Sequence, residues 1–201
     1  LLAMTVVEDF GLIKEMLDRI HGPLLAAIGE MASRTHEVLF RFWGPEYCGA
    51  PLLNPARYFH DLVVAYDREL VDAVRGTGNY SVIHCHGKLD AILEMIAEIG
   101  LDALEPIETL PTATADVTMA QVKERIGDRV CLMGGMQSLD LETLPPADLE
   151  ERIRETVEEG KPGGGFVLLP TAMPIDVPLT EEKQRNIEVY LRAGRKYGEY
   201  R

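Results

Sequence analysis

The densest chemistry in this 201-residue chain lies in the run Ile83-His84-Cys85-His86-Gly87. Side chains alternate across a strand, so on an extended backbone His84 and His86 point one way and Cys85 the other. Two imidazoles converging at a strand tip are a common source of two ligands for a divalent metal; the plainer reading is a pair of packed histidines held by backbone or carboxylates. Glu108, just beyond Pro106, and Glu46, within Gly44-Pro45-Glu46-Tyr47, each follow an apolar, strand-like segment. A carboxylate so placed can ligate a metal, act as a general base or orient a histidine, or simply be a loop acid. Cys131, inside an apolar run, reads as a small core residue, Cys48 as a loop thiol and Trp43 as packing.

The elements that must position these groups alternate in type. Apolar residues at helical spacing run from Val6 to about Thr35, with a break expected at Gly22-Pro23. Val38 to Trp43 reads as a buried strand, and Asn54-Pro55 as an N-cap followed by proline at the first helical position, opening a helix lined by Leu62, Tyr66, Leu70 and Val74. Strands are then expected at 80–86, 103–108, 129–133 (stopped by Gly134-Gly135) and 166–169, each followed by a helical pattern. Strand starts near 37, 80, 103, 129 and 166 lie 23 to 43 residues apart, room for a crossover helix each time. Five βα units imply a parallel α/β architecture, either an open doubly wound sheet or consecutive units of a (β/α)8 barrel. No G-x-G-x-x-G follows the first strand, there is no P-loop, and no linker divides residues 1–201, which read as a single unit.

Composition bounds the function. Lys+Arg 20 against Asp+Glu 33 gives a formal net charge of -13, so a nucleic-acid partner is excluded for want of any basic patch. No apolar stretch approaches the ~18 residues of a membrane span, and nothing resembles a secretory leader. Three cysteines suit a reducing cytoplasm better than a disulfide framework. The chain starts at Leu1 and its first methionine is Met4, which reads as a piece of something longer.

Trp43-Gly44-Pro45-Glu46-Tyr47, Asn54-Pro55, His84-Cys85-His86-Gly87-Lys88, the stretch from Gly100 to Glu108, Arg129 to Met136, Phe166 to Pro174 and Tyr197-Gly198-Glu199-Tyr200, in that order, resemble the uroporphyrinogen decarboxylase superfamily. The resemblance implies a (β/α)8 TIM-type barrel larger than the ~250 residues typical of that fold, of which this chain would hold the last five βα units. It also implies one of two activities. Zinc-dependent methyltransferases of the superfamily move methyl groups from corrinoid proteins to thiols, with a His-x-Cys-Gly at this strand and a later Cys as zinc ligands. Here His84 matches the first ligand, His86 replaces the Cys, and the third position falls near Thr171-Ala172, so that Glu108 or Glu46 would have to substitute. Decarboxylases of uroporphyrinogen instead carry Gly-His-Gly after the last strand, where this chain has Pro170-Thr171-Ala172.

The leading expectation is therefore a methyltransferase-like enzyme acting on a small molecule. His84 and His86 would bind zinc, Glu108 and Glu46 would serve as catalytic carboxylates, and a corrinoid-bearing protein would be the methyl donor. The alternatives are a metal-free decarboxylase of a tetrapyrrole or other polycarboxylate, using arginines such as Arg41, and a non-catalytic half-barrel that self-associates through open sheet edges.

Overall fold

The computed structural model describes residues 2–172 and 177–200. The chain divides into two compact units, one ending at Leu104 and one starting at Glu105.

The first unit opens with α1 (Leu2–Glu8) and α2 (Phe10–Ser33). Asp9 starts α2 by accepting the backbone N–H of Leu12 at 3.0 Å. The break expected at Gly22-Pro23 does not occur, and α2 runs through it. An interior proline removes one helical hydrogen bond and costs about 3 kcal/mol. Arg19, whose carbonyl Pro23 leaves without a helical donor, is exposed, so water can take that carbonyl, while burial of Ile13 before the pair and of Ile28 and Ala32 after it holds both halves on one line. On its outer side α2 leaves Leu12, Met16, Ile20, Leu24 and Met31 exposed.

Strands β1 (Leu39–Trp43) and β2 (Tyr80–His84) pair in parallel, Leu39 opposite Tyr80 and Trp43 opposite His84. Between them come α3 (Pro55–Phe59), one π turn (His60–Val64) and α4 (Ala65–Arg75). Asn54 caps α3 as its sequence predicts, accepting the N–H of Ala56 at 3.1 Å, and Leu62, Tyr66, Leu70 and Val74 are all buried. Phe40 and Phe42 pack against Ile28, Ala32, Leu70 and Val74. The opposite face of β1, bearing Leu39, Arg41 and Trp43, is exposed. So β1 is an edge strand with one open face, not the buried strand its apolar run suggested; periodicity over so short a run does not distinguish the two.

Two polar groups, one buried and one partly buried, fix the register. Asn79 donates through Nδ2 to the carbonyls of Ala32 and Thr35 at 2.9 and 3.1 Å and accepts the N–H of Val38 at 3.0 Å, joining the end of α2 to the entries of β1 and β2. After α5 (Leu93–Ile99) the chain turns at Gly100, whose φ of 86° is left-handed and unstrained for glycine. Asp102 then accepts the N–H and hydroxyl of Ser81 at 2.7 and 3.0 Å, aligning β2 with the start of β3 (Ala103–Ile107).

The second unit takes up β3 at Glu105. It continues with α6 (Met119–Ile126), β4 (Cys131–Met136), α7 (Ser138–Thr143), α8 (Pro146–Gly160), β5 (Phe166–Pro170) and α9 (Glu181–Tyr197). Strands β4 and β5 are parallel, with Leu132 opposite Phe166. Gly134 and Gly135 lie inside β4 rather than ending it. A Cβ on Gly134 would stand 2.3 Å from the backbone nitrogen of Ile107, and one on Gly135 would stand 2.4 Å from Thr156 Cγ2, so the missing side chains are what admit the neighbours. The core gathers Met136, Leu141, Leu149, Ile153, Val157, Val189 and Ala193. Asn186, fully buried, donates to the carbonyls of Leu141 and Leu144 at 3.1 and 2.9 Å, which would otherwise be orphaned at the end of α7.

Strand order follows the chain, β1-β2-β3-β4-β5. A doubly wound sheet reverses direction at a switch point; this order never reverses, so of the two arrangements left open by the sequence the barrel type is the one present. No helix among the described residues is long and apolar enough to cross a membrane.

Two glycine substitutions separate space from strain. Gly134→Ala drives a methyl into the backbone of β3 and is expected to cost more than ~3 kcal/mol, a melting point lower by roughly 10 °C or insoluble protein. Gly29→Ala, in open space on α2, is expected to raise the melting point by a few degrees, ~1 kcal/mol at most. Thermal unfolding followed by circular dichroism reads both.

Candidate functional site

The parallel register puts Leu39, Arg41 and Trp43 on the same face as Tyr80, Val82 and His84, because alternate residues of paired strands share a side. At the C-terminal end of that face the side chains interlock. Trp43 is 67% exposed, yet its indole stacks on the imidazole of His84, with centroids 4.3 Å apart and planes inclined by 28°. The Arg41 guanidinium carbon lies 4.3 Å over the same indole, and Arg41 Nη2 donates to His84 Nδ1 at 2.6 Å. Trp43, read from the sequence as packing, is thus part of a surface assembly.

Strand β2 ends at His84, two residues short of the expected span, so His86 stands in the following loop. Its ring nevertheless meets His84 edge to face, with centroids 4.6 Å apart. Cys85, just past the end of β2, is fully buried. His84 is 6% exposed and His86 partly so, which leaves the pair at the margin of the open face.

Glu46 lies in the 3-10 turn Pro45–Cys48 that follows β1 directly. Its Oε2 is enclosed without a hydrogen-bond partner, an arrangement that costs free energy. Burial pushes the Cys48 thiol up to about 11, with the charges of Asp67 and Glu46 adding to the rise. Cys48 is therefore a thiol at neutral pH, unsuited to act as a resting nucleophile or ligand.

In the second unit, Glu108 is buried immediately past β3 and accepts the hydroxyl of Thr114. Glu105 lies inside β3, buried. Thr171, near the third ligand position of the zinc enzymes, has its N–H bonded to the Met136 carbonyl and its hydroxyl within 3.2 Å of the Ser138 N–H, so it is occupied in holding β4 and β5 together. Gln137, buried at the end of β4, has Nε2 without a partner. Sequence reasoning passed over it because no motif marks a lone glutamine. Met173 and Pro174, from the motif that begins at Phe166, lie outside the described residues.

A zinc ion needs three or four donors with free lone pairs. Among the described residues no group of three or more His, Cys, Asp or Glu stands together to hold a metal, and a guanidinium engages Nδ1 of His84. The described residues do not fit a tetrahedral zinc site.

A family model described as uroporphyrinogen decarboxylase (URO-D) matches residues 49–184. The solved structure of a methyltransferase from Methanosarcina mazei is similar with a TM-score of 0.68 and 19% identity, over 98% of this chain and 52% of that one. The chain thus spans about half the length of that structure. A search of curated proteins gives no match.

Asp67, on α4, is pushed up to about 6 by burial, with His21 pulling weakly the other way. For a carboxylate raised above its unfolded value, the folded state holds the extra proton between about pH 4 and 6. The stability this group contributes is therefore present below pH 4 and falls as pH rises to 6. Asp67→Asn is expected to stabilise the protein by up to ~2 kcal/mol at pH 7.5 and by nothing at pH 4, as read by melting curves at both values.

Proposed function

Since the chain belongs to the uroporphyrinogen decarboxylase family, we propose that it is the C-terminal part of a methyl-transfer enzyme whose acceptor is a small thiol held at the ends of β1 and β2. The observation that carries this reading is the Arg41–Trp43–His84–His86 assembly at the strand tips, where barrels of this type place their chemistry. The methyltransferase name of the structural neighbour supports it.

A guanidinium beside a thiol favours the thiolate, which is the nucleophilic form. The proton leaves the sulfur for solvent, the sulfur bonds to the methyl carbon, and the electron pair of the broken bond stays on the methyl donor. A corrinoid-bearing partner protein is the donor expected from the family resemblance. Trp43 and the imidazoles wall the acceptor site and orient what lies in it. Glu46, in the turn after β1, and Glu108, held by Thr114 in the second unit, are the two carboxylates proposed as catalytic.

The decarboxylase alternative also has an observation in its favour, since Arg41 can equally bind a substrate carboxylate. Self-association through the open edges of β1 and β5 belongs to either reading.

Methylcobalamin with a small thiol, and separately a porphyrinogen, distinguish the two. Thioether formation that falls about 10²-fold in His84→Ala, with no carbon dioxide released from porphyrinogen, is the expected result. Porphyrinogen decarboxylation without methyl transfer would replace this reading with the second.

A further inference from the structure

We propose that Arg41 is a positioning residue that fixes His84 as the neutral tautomer protonated on Nε2, making His84 a hydrogen-bond donor and not a metal ligand. The inference rests on the reading of the β1–β2 strand ends as the site, but its central claim concerns one proton and needs no activity to be tested.

The guanidinium carries only donors and stays protonated at any pH a protein survives. An imidazole nitrogen 2.6 Å from one of its nitrogens must therefore accept, so Nδ1 of His84 carries the lone pair. A neutral imidazole has one N–H, which places the proton on Nε2. The doubly protonated ring would set an N–H against the guanidinium, donor against donor, and add a second positive charge beside the first.

Three further contacts keep the ring from escaping this choice. Trp43 covers one face of the imidazole at 4.3 Å, and the same indole lies under the Arg41 guanidinium, so ring and guanidinium share one platform. His86 closes on His84 edge to face. The parallel register then fixes the backbone beneath, with Arg41 opposite Val82 and Trp43 opposite His84. A histidine so held presents an N–H of fixed direction. This is the property wanted where negative charge gathers, on a thiolate, carboxylate or enolate oxygen, and it is the opposite of what a ligand to zinc requires.

Nitrogen-15 labelled histidine, read by long-range proton–nitrogen correlation at pH 7.5, reports the tautomer directly. The five histidines are few enough to assign, with His84→Gln identifying the signal. The expected spectrum shows His84 with an unprotonated Nδ1 and a protonated Nε2. Arg41→Met, of similar length without charge or donor, is expected to release a mixture of tautomers and to raise zinc affinity at least tenfold, followed by titration of the metal alone; Arg41→Lys should restore part of the wild-type pattern. A wild-type signal protonated at Nδ1, an unchanged spectrum in Arg41→Met, or one zinc per wild-type chain with loss of the Nε2 proton would each overturn the assignment. Since none of these readouts involves turnover, failure of the methyl-transfer reading leaves them intact, and their failure leaves that reading to its own assay.

Discussion

Everything at the candidate site depends on the parallel register of β1 and β2. Placing Trp43 opposite His84 brings a cation, an indole and an imidazole onto one face within van der Waals reach. A slip of one residue would turn Arg41 and Trp43 toward α2 and α4, into the layer now filled by Phe40 and Phe42. The register is held from outside the site by Asn79, three of whose hydrogen bonds join α2, β1 and β2 at the far end of the strands. Chemistry at one end is thus aligned by a buried amide at the other.

The fold was readable where local chemistry and periodicity agree. The cap at Asn54, the buried row from Leu62 to Val74 and the five strand positions all came through with shifts of a few residues. The errors share a cause. Gly22-Pro23 and Gly134-Gly135 look like breaks when only local conformational cost is counted, yet packing overrides it in both places: buried residues on both sides carry α2 through its proline, and the closeness of Ile107 and Thr156 makes the glycines of β4 necessary.

The site was legible in part. Alternation and strand ends singled out His84 and His86, and the structure brings their rings into contact. What the sequence alone does not show is which residues of the neighbouring strand stand opposite them, because register depends on pairing between segments about 40 residues apart. Arg41 and Trp43 therefore passed as a general cation and a packing residue.

The exposed row of Leu12, Met16, Ile20, Leu24 and Met31 on α2 has a bearing on how the molecule behaves in concentrated solution. An uncovered apolar flank of this kind is adhesive toward any similar surface. The formal charge of -13 opposes that adhesion by mutual repulsion between copies. Repulsion has the range of the Debye length, ~10 Å at 0.1 M salt and ~3 Å at 1 M, whereas apolar attraction strengthens when strongly hydrated salts are added. Colloidal behaviour is thus a contest between a short-range attraction set by one helix and a long-range repulsion set by the whole composition. Acidification toward the isoelectric point near 4.8 shifts that contest in the same direction as salt.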